Sequence, residues 1–255
     1  MTVLTTKKDV KERGDMRDAF AHVDTWVFDL DDTLYPRSIG IHHQMKQRVV
    51  LFIADFMKID HAAAEAFHVD YYTRYGATLQ GLVEQHGVVP KAFLDFIHDI
   101  DLSALTRNDE LIAALRALPG RRIVFTNASR GHAAAALDAM GMADLFDGIG
   151  SIEDGDFIGK PHLSAFSGFF AAHGIDPASS AMFEDRVGNL VVPHDLGMKT
   201  VLVEPIGDVD VIDRPRHVDA VVENLTAFLG EVTIQARDFS CAAFANRIGE
   251  NSFNK

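Results

Sequence analysis

Five short apolar runs, each closing on polar residues, punctuate the chain: DTWVFD from Asp24, RRIVFTN from Arg121, SAMFED from Ser180, KTVLVEP from Lys199 and DAVVEN from Asp219. They are rich in β-branched or aromatic residues and do not alternate with polar ones. That pattern predicts strands buried on both faces. Helical periodicity fills the intervals. NDELIAALRALPG opens on a capping residue, Asn108 or Asp109, repeats Leu111, Ile112, Leu115 and Leu118 along one face, and stops at Pro119-Gly120. HAAAALDAMG ends at Gly141 and PHLSAFSGFFAAHG at Gly174, where glycine suits a helix terminus. Strands alternating with helices of this length call for right-handed parallel crossovers. The expected fold is therefore α/β, a doubly wound, Rossmann-like parallel sheet.

Residues 37–105 interrupt this alternation with helical patterns alone. IGIHHQMKQRVVLFIADFM aligns Ile41, Met45, Val49, Phe52, Ile53 and Phe56 on one stripe, and AAAEAFHVDYYTRYG, LQGLVEQHG and PKAFLDFIHDI read as further helices. The segment is expected to be an all-helical cap subdomain inserted after the first strand. The α/β core would then comprise 24–36 and 106–234, preceded by a polar, mobile lead-in, 1–23. A tail, 235–255, reads as a final helix or a disordered end.

Charge narrows the partners. Lys and Arg number 24 against 37 Asp and Glu, a formal net charge of -13. Nucleic acid and anionic membranes would meet a repelling field, so neither is expected as a partner. Cys241 is the only cysteine, which fits a reducing compartment, and no apolar run reaches the roughly 18 residues of a membrane span. The charged start MTVLTTKKDVKERGD does not read as a secretory signal, so a cytoplasmic location is expected. Oligomeric state, a homodimer included, stays open.

TWVFDLDDTLYP carries the chemistry: Asp29, Asp31 and Asp32 follow an apolar strand within four positions. In open parallel sheets the ligand lies beyond the carboxyl ends of the strands. That edge would also receive Thr126-Asn127, Glu184-Asp185 and Lys160. Extended geometry turns Asp29 and Asp31 to the same side. Carboxylates converge stably around a divalent cation, and oxygen ligands without clustered His or Cys suit Mg²⁺ better than Zn²⁺. A calcium loop is excluded, because Leu34 and Gly40 stand where its glycine and glutamate are required. No Walker loop, nucleophile elbow or HExxH is present, and GIGSIE at Gly148 lacks a third glycine and a clear preceding strand.

VFDLDDTLY, FTNA, GKP and FEDRVGNL…LGMKTVLV resemble the four ordered motifs of the haloacid dehalogenase (HAD) superfamily of phosphatases, across Asp24 to about Leu229. The helices LYPRSIGIHHQM, YYTRYG and LQGLVEQHGV further resemble its pyrimidine 5′-nucleotidase branch. The resemblance implies an enzyme, a Mg²⁺-dependent phosphomonoester hydrolase acting through an aspartyl-phosphate on a small phosphorylated metabolite, namely a pyrimidine nucleoside 5′-monophosphate. Sugar-phosphate phosphatase or phosphosugar mutase activity is the alternative. A dehalogenase would lack the acid at Asp31, and a non-catalytic binding module would not need every chemical position filled.

On that resemblance Asp29 is the nucleophile, and Asp31 protonates the leaving oxygen and later activates water. Neighbouring anions are expected to raise the pKa of Asp31. Metal ligands would be the Asp29 carboxylate, the Asp31 carbonyl and Asp185. Glu184 would act through water or stand at the surface. Thr126 grips phosphate with amides near Asn127 and Ala128, where a helix is expected to begin, and Lys160 balances charge. Asn189 would orient Asp185 or water. Two departures from the family are Arg186, in place of a small hydroxyl residue, and Pro193, expected to kink the following helix. Tyr72, Tyr75, Arg74, His42 and Lys46 are the candidates for substrate contact from the cap, with bundle packing as the alternative for the tyrosines. The 12 histidines show no ligand spacing.

Overall fold

The computed structural model describes residues 18–204 and 215–233. The expected lead-in as far as residue 17 and the expected tail, 235–255, lie outside the described residues.

Strands β1 (Thr25–Phe28), β2 (Arg121–Phe125), β3 (Gly148–Gly150), β4 (Ser180–Glu184), β5 (Lys199–Val203) and β6 (Ala220–Val222) form one sheet in the order β3-β2-β1-β4-β5-β6. Every pairing is parallel, with Phe28 opposite Val124 on one side and Phe183 on the other. The expected doubly wound sheet is the observed one. Side-chain alternation then divides the core. Trp26, Phe28, Val124, Phe183, Val201 and Val203 join one apolar cluster, while Val27, Ile123, Phe125, Met182 and Leu202 join another. Both faces are covered, which is why the strands read as unbroken apolar runs. Burying each large side chain here, such as Phe28 or Phe183, contributes about 1.5–3 kcal/mol.

Helices α5 (Asp109–Ala117), α6 (Arg130–Ala139) and residues 225–233 cover the first face, whereas α7 (Leu163–His173) supplies Phe166, Phe169 and Phe170 to the second. Asn108, not Asp109, caps α5, its side chain accepting from the Leu111 amide. Gly120 makes the turn into β2 at a positive φ, and a Cβ there would sit 1.9 Å from the Asp24 carbonyl oxygen. The end of the expected lead-in is core: Phe20 and Val23 are buried, and Phe20 meets Phe228 edge-on at 5.4 Å.

β3 was not expected. It is three residues, Gly148-Ile149-Gly150, and α7 lies directly on it. A Cβ on Gly150 would approach the Phe169 ring to 2.4 Å, and one on Gly148 would approach the His173 ring to 2.9 Å. Close packing selected glycine there and erased the β-branched signature.

Between β1 and α5 stand α1 (Ile41–Met57), α2 (His61–Tyr75), α3 (Thr78–His86) and α4 (Pro90–Ile97), after a 3₁₀ turn at Arg37–Ile39. They share their own apolar cluster around Val50, Ile53, Tyr71, Leu82, Phe93 and Leu94. The stripe expected on α1 holds only in part. Ile41 packs with the sheet cluster, Val50 is buried beside Val49 and Ile53, and Phe56 is exposed. Among the described residues no helix is long and apolar enough to cross a membrane.

Candidate active site

β1 lies between β2 and β4 at the point where the strand order reverses direction. The crevice beyond the carboxyl ends of such a pair is where open α/β sheets take ligands. Asp29 follows β1, its amide still donating to the Phe183 carbonyl at 2.9 Å. Glu184 ends β4 and Asp185 follows it, while Thr126 follows β2. Lys160, joined to Pro161 by a cis peptide, comes in before α7.

Lys160 is 2% exposed, and its Nζ donates to Asp29 Oδ1, Glu184 Oε2 and the Phe125 carbonyl, each at 2.7 Å. Burial by itself would lower the pKa of this ammonium. The carboxylates of Asp29 and Glu184 outweigh burial and hold it above the usual lysine value. Asn127 fixes the loop, its amide group donating to the Lys160 carbonyl at 2.9 Å and accepting from the Lys160 amide at 2.7 Å. Thr126, 1% exposed, accepts from the Ala128 amide at 3.0 Å. The helix itself begins later than expected, at Arg130 behind the cap Ser129.

One oxygen each from Asp29, Glu184 and Asp185 lie within 4.8 Å of one another. Burial first, then the charge of Glu184, pushes Asp29 above the ordinary carboxylate range. Burial and the charges of Asp29 and Glu184 do the same to Asp185. A hard divalent cation relieves that repulsion, and an all-carboxylate set suits Mg²⁺. Asp32 does not join the cluster. It sits at a φ of 65° and turns to Arg37, at 2.8 Å, and His42, at 3.3 Å.

Asp31 differs from expectation. Its Oδ1 accepts from His132 Nε2 at 2.8 Å and from the Tyr35 hydroxyl. Burial would raise its pKa, but these donors win and hold the carboxyl below its usual value. Neither donor was anticipated. Glu184 is likewise no surface residue: at 1% exposure it faces Lys160.

These groups open onto a cavity of about 430 Å³ whose far wall is the helical insert. His42, Lys46 and Tyr72 line it, as do Arg186 and the buried Asn189. Two expected contacts do not reach it. Tyr75 packs on Tyr71 at 5.6 Å, and Arg74 pairs with Asp70 beneath the same rings. Arg186 lies over the Tyr72 ring, 4.7 Å from its centroid. The helix expected to kink at Pro193 is instead short. A 3₁₀ turn, Val187–Leu190, leads into α8 (Val191–Asp195), with Pro193 in its first turn.

The model of the haloacid dehalogenase-like hydrolases matches residues 23–191. The chain belongs to this family. Phosphate metabolism protein 8 of Saccharomyces cerevisiae is 29% identical over an alignment 194 positions long, which covers 69% of this chain and 60% of that protein. The chain thus spans about 60% of the length of the curated relative it matches. Among solved structures, a HAD phosphatase from Thermococcus onnurineus aligns with a TM-score of 0.55 at 18% identity, over 83% of this chain and 100% of that one. L-2-haloacid dehalogenase from Xanthobacter autotrophicus aligns with a TM-score of 0.52 at 16% identity, over 84% of this chain and 98% of that one. At such identities the two share the fold of this HAD-like hydrolase, in which the matched segment runs from the residues before β1 to the start of α8.

Proposed function

We propose that this HAD-like hydrolase is a Mg²⁺-dependent phosphomonoesterase that works through an aspartyl-phosphate on Asp29 and takes a pyrimidine nucleoside 5′-monophosphate. One observation carries the reading: the Asp29 carboxylate stands at the head of a metabolite-sized cavity, between a buried lysine and two further carboxylates. A site that only bound its ligand would have no use for a nucleophile so flanked. Asp29 and Asp185 would hold Mg²⁺, with Glu184 beside them and the Asp31 carbonyl as the family resemblance implies. When bound, the ion neutralises charge on the phosphoryl group.

The chain's own residues do the rest. Lys160 keeps Asp29 oriented and offsets the negative charge gathered there. An oxygen of Asp29 attacks phosphorus as the bond to the leaving oxygen breaks, and Asp31, which must carry a proton on its second oxygen for this step although its two donors favour the carboxylate, gives the leaving oxygen that proton. Water then attacks the same phosphorus, Asp31 takes the water's proton, and the Asp29 carboxylate is released. The nucleoside part of the reading is supported by the cap wall. Val49, Leu79, Phe93 and Leu94 offer an apolar surface, and His68 and Thr78, 2.8 Å apart, offer a polar edge.

Phosphate release from uridine and cytidine monophosphates and from hexose phosphates, with Mg²⁺ and with a chelator, tests this directly. The nucleotides should turn over, and the chelator should abolish it. Equal or better hydrolysis of hexose phosphates would remove the nucleotide assignment but keep the reaction class. Chloride release from 2-chloropropionate without any phosphatase activity would remove the class as well.

A further inference from the structure

His132 lies on the first turn of α6, 101 residues from Asp31 in sequence, yet its Nε2 is 2.8 Å from Asp31 Oδ1. Its side chain is wholly buried, while that of Asp31 is 16% exposed. The Tyr35 hydroxyl donates to the same oxygen. Among the described residues, no side chain donates to Asp31 Oδ2. Two donors therefore converge on one oxygen and leave the other for the cavity.

The imidazole is itself held. His98, from the end of α4, stacks on it with centroids 4.6 Å apart and planes at 22°, and bonds through Nδ1 to Ser129 Oγ at 2.9 Å. His132 Nδ1 is buried without a hydrogen-bond partner. A carboxylate can only accept, so the hydrogen shared between them sits on Nε2. A buried histidine that leaves half its polar capacity unused is there for its other nitrogen.

We propose that His132 is a positioning residue: by pinning Asp31 through Oδ1 it aims Oδ2 at the leaving oxygen of the substrate. This rests on the phosphatase reading above. In the first step the proton on Oδ2 passes to the leaving oxygen as its bond to phosphorus breaks, giving the free alcohol and phosphorylated Asp29. In the second, Oδ2 receives a proton from the attacking water as the Asp29–phosphorus bond breaks.

The test varies how much the leaving group needs that proton. A nucleoside alkoxide is a poor leaving group and depends on it, whereas nitrophenolate departs almost unaided. The comparison uses His132→Phe, which keeps a ring against His98 where Nδ1 already lacks a partner, together with His132→Ala and His132→Gln. A positioned general acid is worth roughly 10²–10⁴-fold. We expect His132→Phe to lower kcat on uridine monophosphate by about 10²-fold and on p-nitrophenyl phosphate by less than about 3-fold, with KM little changed. His132→Gln, which restores a donor, should recover much of the loss on the nucleotide. Equal losses on both substrates, or none on either, would overturn the proposal. Wild-type protein inactive on both would instead overturn the phosphatase reading on which it stands. Should His132→Ala and His132→Phe both fail to fold, His132→Gln against wild type gives the same ratio of ratios. A shift there toward the nitrophenyl ester supports the role, and an unshifted ratio with lowered rates refutes it.

Discussion

Lys160 concentrates the energetics of the site in one side chain. Its ammonium is enclosed by Asp29, Glu184 and a backbone carbonyl, all at 2.7 Å. Removing one partner from a buried charge cluster typically costs about 3–5 kcal/mol, because the others are left uncompensated. Lys160→Met should therefore lower the denaturant midpoint as well as the activity, and adding Glu184→Gln should restore part of the stability without restoring turnover. A Lys160→Met protein as stable as wild type would show that the cluster is not charged as described. The positions of Asp29, Thr126 and Asp185, each just past a predicted strand, and of Lys160, just before a predicted helix, could be read in advance. Of the two readings of Glu184 the surface one fails, because the residue is still inside β4, where the period of two sends its side chain inward onto Lys160. His132 left no trace at all: a buried histidine one turn into a helix has no spacing rule linking it to an acid 101 residues away.

At the scale of elements, α4 ends on a half-buried histidine, and that has a pH signature. Burial, and next the neighbouring His132, push His98 down to about 4, against the pull of Asp31 and Asp95. In the unfolded chain it titrates near its ordinary value of 6.5. Between those values the unfolded state binds the extra proton, so this stability is complete above pH 6.5 and is lost as pH falls toward 4. By pH 4.5 the loss should be about 2–3 kcal/mol. Urea unfolding at pH 7 and 4.5 should show wild type losing more than His98→Gln by roughly that amount; parallel losses would mean that the ring is not held neutral. Elements were legible in proportion to their periodicity. α5, α6 and α7 lie where apolar spacing and flanking glycines put them. β3 did not, because a strand under an aromatic helix consists of what fits, Gly-Ile-Gly, rather than of strand formers. After β4, where Pro193 was expected to kink a helix, a 3₁₀ turn and five helical residues stand instead.

Over the whole molecule the formal charge is -13, yet Arg37, Lys46 and Arg186 line the cavity. An anionic substrate is thus met by local cations within a repelling field, and its association should weaken as salt screens them. Arg186 also ties the two halves together, since its guanidinium covers the Tyr72 ring of the helical insert. A partly exposed contact of this kind is worth about 0.5–1 kcal/mol. Arg186→Ala and Tyr72→Ala should each raise KM by about 2–5-fold, and the double variant by no more than either alone. Fully multiplicative effects in that cycle would dissolve the clasp. The helical insert, finally, keeps most of its apolar interior around Ile53, Leu82 and Phe93, in a cluster that takes in Ile152 from the core, while Ile41 packs with the sheet. Such a partition lets selection redraw the entrance without retuning the machinery. Descendants of this chain can acquire new diets by remodelling four helices, while the acids and the lysine beneath them stay as they are.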